Sequence, residues 1–445
     1  MDNLLAFLPS FGNTIYTLAA FVIALSVIVA IHEYGHYIVG RWCGIHAEVF
    51  SLGFGPQLAN WTDKRGTRWQ IAALPLGGYV RFLGDDDAAS GMDEAAIRKM
   101  SAQDRRRTMH GAPLWARTAT VAAGPIFNFV LSILVFASVM MVQGQATLPL
   151  TVDRISPLPT GAYELREGDE IRAIGGQDID SFETLGTLTD LLPLSASIDY
   201  DVTRDGQGMT VQGPYPYPPL VASVSPQSAA MDAGLRKGDV IAEINGAPVV
   251  AFEQLREQVG GSQGDPVQLE IWRDGEIFSQ ELAPRVVDLP TQDGFEQRYL
   301  IGVTGGLVFE PDTQSPGPLS AIGQGAAQTW FIVEQSLSGL YHMITGAISS
   351  CNLSGPIGIA ETSGDVARQG LISFIWFIAV LSTAVGMLNL FPVPVLDGGH
   401  LVFFAYEAII GKPPSEKALR VLMSIGLALI LTLMLFSVTN DLFCP

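Results

Sequence analysis

A pentapeptide suited to metal binding closes a long uncharged stretch of the chain. Residues 18–31 contain no ionisable side chain, and they are followed at once by His32-Glu33-Tyr34-Gly35-His36. In a helix, two His four residues apart project from one face and can share a zinc ion, while the Glu can activate a water molecule for attack. Ionisable residues are costly within a membrane span, so their presence there indicates a function. The motif and its placement together predict hydrolysis within a lipid bilayer.

The composition is that of a membrane protein. The 445 residues are 48% hydrophobic and only 16% charged. Four apolar runs each approach the ~20 residues that cross a bilayer, and they cover residues 15–39, 118–142, 371–390 and 421–438. We therefore predict a multi-pass α-helical membrane protein with four transmembrane helices.

The negative charge of the chain belongs to one hydrophilic insert. The formal net charge is −19, and residues 143–370 contain 30 Asp and Glu against 11 Lys and Arg, whereas the rest of the chain is balanced. This acidity argues against a nucleic-acid partner, and plain solubility is a sufficient explanation for it. Two other loops are basic, since residues 41–117 contain 11 Lys and Arg and residues 412–420 add three more.

The basic loops predict the topology. The positive-inside rule places both of them in the cytoplasm. Residues 143–370 and both termini are then expected on the outer face. Cys351 and Cys444 would both face the exterior, where they either form a disulfide or stay apart, and Cys43 is expected to be a buried thiol.

The insert contains an internal repeat with a spacing of 70 residues. Residues 165–176 read LREGDEIRAIGG, and residues 235–246 read LRKGDVIAEING. A unit of this size indicates two tandem small domains rather than a solenoid. The second resembles a bacterial PDZ domain and the first, which lacks the Asn-Gly turn, a degenerate one. PDZ domains bind extended peptides at a sheet edge, while an inert spacer or lid is the alternative. We place these two exterior α+β domains at residues 146–214 and 215–288.

The other regions follow from their patterns. Residues 44–111 form a loop whose short, Gly-punctuated apolar runs predict a membrane-associated β hairpin or small sheet. Residues 289–370 combine a connector with a helix that is too amphipathic to span and is expected on the outer membrane surface or packed on the core. The transmembrane segments themselves are placed at 1–43, 112–143, 371–400 and 415–440.

A third metal ligand is expected, because catalytic zinc commonly has three protein ligands and one open position. Residues 389–400, NLFPVPVLDGGH, close the third apolar run, and Asp397 is their only carboxylate. The Pro and Gly residues prevent a regular helix, and irregular backbone at membrane depth is tolerated where it is buried in protein or lines a cavity. The first and third spans run in the same direction, so Asp397 and the two His are expected at one depth. A helix cap or turn is the alternative role for Asp397.

The two motifs together resemble the paired signature of the site-2 proteases, a family of intramembrane zinc metalloproteases, and more narrowly its bacterial sigma-E-regulator type. The likeness covers nearly the whole chain and includes residues 53–56 (GFGP), 75–80 (PLGGYV), 123–129 (AGPIFNF) and 352–358 (NLSGPIG). The resemblance implies one zinc ion bound by His32, His36 and Asp397. It implies that Glu33 is the general base and later the proton donor to the leaving amine. It also implies that Asn389 contacts the substrate backbone or the developing oxyanion.

The resemblance further implies a substrate class and a location. The expected substrates are single-span membrane proteins of the anti-sigma-factor type, cut after a first cleavage, and leftover signal peptides. The protein would lie in the bilayer of the bacterial inner membrane, with its PDZ-like domains in the periplasm and the 41–117 loop in the cytoplasm. The alternative is a catalytically idle membrane scaffold that binds peptides through its PDZ-like domains. The complete set of motif residues argues against a scaffold, and the lack of inverted repeats between the two halves argues against a transporter.

A helical substrate must unwind before it is cut, and its backbone then needs new hydrogen-bond partners in a dry site. The β segments around Gly53, Phe54 and Gly55 and around residues 77–82 are candidates to provide them. We hypothesise that they offer a sheet edge to which the unwound substrate adds as a strand.

Overall fold

The computed structural model describes residues 7–85, 100–159, 163–291 and 294–444. The chain divides into two compact units. The helical unit comprises Met1–Val139, Pro318–Gly346 and Ser350–Pro445, and the sheet unit comprises Met140–Gly317 and Ala347–Ser349.

Long apolar helices dominate the helical unit. The helices of the described chain are α1 (Phe7–Trp42), α2 (Ala102–Arg105), α3 (Leu114–Gln143), α4 (Phe182–Thr187), α5 (Ala229–Asp232), α6 (Phe252–Gly261), α7 (Pro318–Thr345), α8 (Pro356–Arg368), α9 (Leu371–Asn389), α10 (Asp397–Ile410) and α11 (Glu416–Phe443). Four of them are long and apolar enough to cross a membrane, namely α1 from Thr14 onward, α3, α9 and α11. The four predicted spans are thereby confirmed as helices of suitable length and composition.

An antiparallel β pair lies between α1 and α3. It consists of β1 (Ala47–Thr62) and β2 (Arg68–Phe82). Phe50 of β1 is paired with Trp69 on one side and with Val80 on the other, so β2 folds around β1 and the pair acts as a small sheet. The predicted β segment of this loop is therefore present.

Small residues allow the neighbouring helices to approach α1 closely. A Cβ atom built on Gly35 would lie 2.9 Å from the carbonyl carbon of Ala123 in α3, and one built on Gly364 of α8 would lie 2.9 Å from Cβ of Thr17. Close backbone approach through small residues is the usual packing mode of membrane helices. Both α3 and α8 therefore pack closely against the helix that carries the HExxH motif.

The start of α8 is tied to the end of α11. The carboxylate of Asp441 accepts hydrogen bonds from the backbone N–H groups of Gly355 (2.7 Å) and Ile357 (3.0 Å), which caps α8. Beside it, Cys351 and Cys444 form a disulfide. The pairing that the sequence left open is thus present in the structure.

The amphipathic helix α7 is also present, and it buries small rather than large residues. Ala321, Gly325 and Thr329, spaced by four, are buried, and a Cβ atom on Gly325 would lie 3.2 Å from the backbone N of Ala137 in α3. Trp330 on the opposite face is 68% exposed. The outward apolar face of α7 is consistent with contact to lipid.

The sheet unit consists of short antiparallel strands. They are β3 (Gln145–Ala146), β4 (Leu150–Ile155), β5 (Glu170–Ile174), β6 (Gln177–Asp178), β7 (Ser197–Arg204), β8 (Gln207–Pro214), β9 (Val221–Val224), β10 (Val240–Ile244), β11 (Ala247–Pro248), β12 (Val267–Arg273), β13 (Glu276–Leu282), β14 (Arg285–Thr291), β15 (Gly294–Leu300), β16 (Val303–Gly305), β17 (Phe309–Pro311) and β18 (Thr313–Gln314). One sheet has the order β17-β4-β5-β7-β8 with β6 beside β5, and another has the order β11-β10-β12-β13. Each sheet covers its own hydrophobic core, so the repeat in the sequence is a repeat in the fold.

Strands that follow residue 288 extend both halves of the repeat. β16 pairs with β9, and β17 pairs with β4. Ile301 is buried in the core of the second half, whereas Val308 and Phe309 are buried in the core of the first. The segment predicted to be a connector therefore contributes to both cores.

Equivalent ion pairs occupy the two halves. The buried carboxylate of Asp169 is held by Arg204 through two hydrogen bonds of 2.7 Å, and that of Asp239 is held by Arg273 at 2.6 and 2.7 Å. Burial by itself would raise the pKa of the Asp169 carboxyl, but the bonds from Arg204 and from the Arg166 backbone outweigh it, and the pKa lies below its usual value. The Asp of each Gly-Asp step in the repeat therefore accepts hydrogen bonds in a buried ion pair that supports the fold.

Replacement of Arg204 by Ala is expected to destabilise the sheet unit by about 3–5 kcal/mol, because it leaves the Asp169 carboxylate buried without its partner. Urea unfolding of the full chain, followed by pulse proteolysis, measures this loss. Arg154→Ala is the matched control. Arg154 and Glu310 form an exposed pair 3.7 Å apart, and its removal should cost less than about 1 kcal/mol.

The same ion pair predicts a dependence on pH. Because its pKa is lowered in the folded state, Asp169 stabilises the fold above its unfolded pKa of about 4, and this contribution is lost as the pH falls through the lower folded value. The difference between Arg204→Ala and the wild type should therefore shrink below about pH 4. A difference that is constant down to pH 2 would contradict this account of the pair.

Candidate metal centre

Three side chains converge where α1 meets the start of α10. His32 and His36 project from one face of α1, with their Nε2 atoms 3.2 Å apart. Oδ2 of Asp397 lies 3.2 Å from Nε2 of His32 and 3.5 Å from Nε2 of His36. The three side chains are only 12–17% exposed. The structure thus brings both halves of the sequence signature to one point.

The separations of these atoms fit a zinc ion. Two ligands of a tetrahedral zinc site, each 2.0–2.1 Å from the metal, are about 3.3 Å apart, and the three observed separations bracket that value. Among the residues that the structure describes, the buried Oδ2 of Asp397 has no hydrogen-bond partner. A cation among the three atoms would satisfy it. The residues present are therefore suited to hold zinc.

The irregular segment between α9 and α10 places Asp397 beside the two His. Helix α9 ends at Asn389, and α10 begins at Asp397 itself. A Cβ atom on Gly398 would collide with the Leu390 carbonyl, and one on Gly399 would lie 2.5 Å from Cα of Pro394. Only glycine allows the new helix to start this close to the preceding chain, which explains why the Asp is followed by two Gly residues.

Glu33 lies between the two His and the edge of β2. Its carboxylate accepts a hydrogen bond from the backbone N–H of Val80. A Cβ atom on Gly78 would lie 3.1 Å from Cγ of Glu33, so the glycine permits the strand to pass beside the motif. β2 therefore borders the site at Gly78 and Val80.

Polar contacts hold the β pair against the end of α1. The hydroxyl of Tyr37 donates to the Asp63 carboxylate over 3.2 Å, and the guanidinium of Arg41 donates to Oγ1 of Thr67 over 3.1 Å. Oγ1 of Thr67 in turn donates to the Ala47 carbonyl. These contacts join the turn between β1 and β2 to the helix that carries the motif.

One face of α3 completes the surroundings of the two imidazoles. Nδ1 of His36 lies 2.8 Å from the Thr120 carbonyl oxygen, and Nδ1 of His32 lies 3.2 Å from Nδ2 of Asn128. Between them, a Cβ atom on Gly124 would lie 2.9 Å from Cε1 of His32 and closer still to the ring of His36. None of these three positions is among the site residues predicted from the sequence. An amide within an apolar span was the available signal for Asn128.

The remaining predicted site residues lie at the end of α9 and in β1. The amide of Asn389 donates to the Val385 carbonyl one turn earlier in α9. Gly53 and Gly55 have φ values of +89° and +84°, and they place a bend in β1. The ring of Phe54 stacks on Tyr79, with centroids 6.0 Å apart. Substrate roles for these residues remain predictions.

The HExxH helix, the carboxylate of Asp397 beside it and the four candidate membrane spans define a class, the metalloproteases of membranes. Comparison with known proteins agrees. The family model described as peptidase family M50 matches residues 20–433, and the chain belongs to that family.

Full-length relatives extend this result. A protein of Agrobacterium fabrum, named as an inferred zinc metalloprotease, is 36% identical over 95% of this chain and 94% of its own length. A protein of Rhizobium meliloti with a similar name is also 36% identical, over 97% of each chain. The regulator of sigma-E protease RseP of Salmonella typhimurium is 33% identical over 96% of this chain and 99% of its own. The protein is a zinc-dependent metalloprotease of the membrane.

Proposed function

We propose that the protein is an intramembrane endopeptidase that binds one zinc ion through His32, His36 and Asp397. The convergence of these three side chains at zinc-compatible separations, on elements of membrane-spanning character, carries the proposal. Zinc, when bound, supplies Lewis-acid activation of a water molecule for attack on a peptide bond.

Glu33 is the proposed proton carrier. Its carboxylate would accept a proton from the attacking water and deliver it to the nitrogen of the leaving amine, so that the proton count balances. The hydrogen bond from the Val80 backbone supports this role, because it orients the carboxylate beside the two His. Asn389 is proposed as a neutral donor toward the substrate backbone or the developing oxyanion.

The substrate is proposed to be a single-span membrane protein. The relative named regulator of sigma-E protease supports a substrate of the anti-sigma-factor type. Leftover signal peptides are a second candidate, because each of them also consists mainly of one short apolar segment. Unwound substrate would add as a strand to the edge at residues 77–82, with the bend at Gly53, Phe54 and Gly55 shaping that edge. The position of Gly78 and Val80 against Glu33 supports this placement.

The two repeated domains of the sheet unit are proposed to be PDZ-like, at 146–214 and 215–288 with the later strands completing them. Their duplicated cores and buried Asp–Arg pairs support common descent. As peptide-binding domains outside the membrane, they would act as a size filter that admits substrates only after their outer portion has been removed.

The proposed location is the bacterial inner membrane, with residues 143–370 in the periplasm and residues 41–117 in the cytoplasm. The basic residues of the 41–117 loop support this orientation. The disulfide between Cys351 and Cys444 supports it independently, because disulfides persist in the oxidising periplasm and are rare in the cytosol.

Removal of the metal tests the function. The full chain in lipid vesicles is expected to cut a trimmed single-span substrate within its apolar segment, to stop after treatment with a chelator, and to recover with Zn²⁺ but not Mg²⁺. Mass spectrometry of the products locates the cut. An untrimmed substrate should stay intact if the sheet unit acts as a filter. Cleavage that survives complete metal removal, or a cut outside the apolar segment, would contradict the proposal.

A further inference from the structure

The environment of the imidazole ring of His32 is completed by one amide side chain. Asn128 lies within α3, a candidate membrane span, and it is fully buried. Nδ2 of Asn128 lies 3.2 Å from Nδ1 of His32, and among the described residues its buried Oδ1 has no hydrogen-bond partner. A buried amide in an apolar helix is costly unless it is used, so the position of Asn128 calls for an explanation beyond packing.

The backbone at Asn128 is held firmly by neighbouring hydroxyl groups. The Asn128 carbonyl accepts hydrogen bonds from Oγ of Ser132 and from Oγ of Ser382 in α9, both at 3.0 Å. The Ser132 hydroxyl also lies 2.8 Å from the Ala379 carbonyl oxygen of α9. Gly386 of α9 lets the two helices meet, because its Cβ would lie 3.2 Å from Cβ of Asn128. The amide is therefore presented to His32 from a rigid junction of two helices.

The chemistry of a metal ligand decides which way this amide must face. A neutral imidazole that gives its Nε2 lone pair to a metal carries its proton on Nδ1, so Nδ1 must be a donor. An NH₂ group opposite Nδ1–H would set two donors against each other, whereas the amide oxygen would accept the proton. The oxygen and nitrogen of an amide exchange places by a half-turn about one bond, and their assignment rests on the hydrogen-bond network. Metal binding therefore favours Oδ1 toward His32.

We infer that Asn128 is a positioning residue, which fixes the tautomer and the ring orientation of His32 by accepting a hydrogen bond from its Nδ1–H. His36 already has the equivalent arrangement, since its Nδ1 faces the Thr120 carbonyl oxygen. Thr120 and Asn128 are two turns apart on one face of α3, and His36 and His32 are one turn apart on α1. A single face of α3 thus supplies an acceptor to each of the two His. This inference rests on the proposed zinc site.

The affinity for the zinc ion alone tests the inference, measured on the purified full chain in micelles by competition with a chromophoric chelator. Asn128→Leu keeps the size of the side chain and removes the acceptor, and we expect its Kd for zinc to rise about 10–100-fold. Asn128→Asp restores an acceptor of the same shape, so its Kd should stay within about threefold of the wild type. Substituted Co²⁺ gives a second readout, since its visible absorption band should shift in Asn128→Leu and stay unchanged in Asn128→Asp.

Ser138→Ala is the matched control. It removes an exposed hydroxyl from the same helix, where Oγ of Ser138 donates to the Leu134 carbonyl, and it should leave the zinc Kd unchanged. Equal weakening by Asn128→Leu and Asn128→Asp would reduce Asn128 to a packing role and overturn the inference, as would a zinc Kd for Asn128→Leu within twofold of the wild type. Wild-type protein that binds no zinc would instead overturn the proposed function itself, so the two failures are distinguishable.

Discussion

Replacement of Glu33 by Gln should lower the rate of substrate cleavage by roughly 10²–10⁴-fold, the usual contribution of a general acid–base group. Gln has the same shape as Glu and cannot carry the proton. It can still meet the edge of β2, but as an amide it no longer presents two carboxylate oxygens to the Val80 N–H. Because Glu33 is not among the three converging ligand atoms, zinc binding should be unchanged. Single-turnover cleavage in vesicles and metal analysis of the same preparation measure the two quantities.

The control for this substitution removes the same charge elsewhere in the helical unit. Glu334 is exposed on α7, and Glu334→Gln should cleave at the rate of the wild type. A Glu33→Gln variant that cleaves normally would refute the assigned base. A variant that loses zinc together with activity would show that Glu33 maintains the site rather than carrying a proton.

Replacement of Gly124 by Ala is expected to weaken zinc binding and to lower cleavage by about 100-fold or more, since displacement of a reacting group by 1 Å can cost that much. The added Cβ would lie 2.9 Å from Cε1 of His32 and closer to the ring of His36. Neither imidazole could keep its place without moving α3 away from α1. Helix propensity favours Ala over Gly by about 1 kcal/mol, so any loss of zinc affinity or cleavage would arise from this collision and not from a weaker helix.

Gly323→Ala provides the comparison. Gly323 lies in α7, and a Cβ there meets no atom within 4 Å, so this variant should bind zinc and cleave as the wild type does. Glu33→Gln and Gly124→Ala separate chemistry from metal binding, because the first should retain the metal and the second should lose it. Normal zinc affinity in Gly124→Ala would show that the helices yield more easily than their packing indicates.

Much of the architecture could be predicted because its signals are local. Four apolar runs of sufficient length correspond to four helices, since a chain in lipid must satisfy its backbone hydrogen bonds internally. The repeat at Gly168-Asp169 and Gly238-Asp239 was visible because residues 165–176 and 235–246 read alike, and in the structure each Asp forms an equivalent buried pair with an Arg. The strands at β16 and β17 were not assigned to the two halves. Their pairing with β9 and β4 depends on contacts between residues far apart in sequence.

The site, too, was determined partly by local sequence and partly by tertiary packing. The sequence by itself determined that His32 and His36 share a helical face, because a spacing of four residues is nearly one turn. It also singled out Asp397 as the only carboxylate in a segment that cannot stay helical. The tertiary structure decided how near these groups lie to one another, and it alone showed that Thr120, Gly124 and Asn128 lie beside the two His. Their roles depend on the contact between α1 and α3, in which a backbone carbonyl, a missing side chain and an amide act together. A carbonyl is present at every residue and a glycine in many helices, so only the packing of one helix against another makes these three specific.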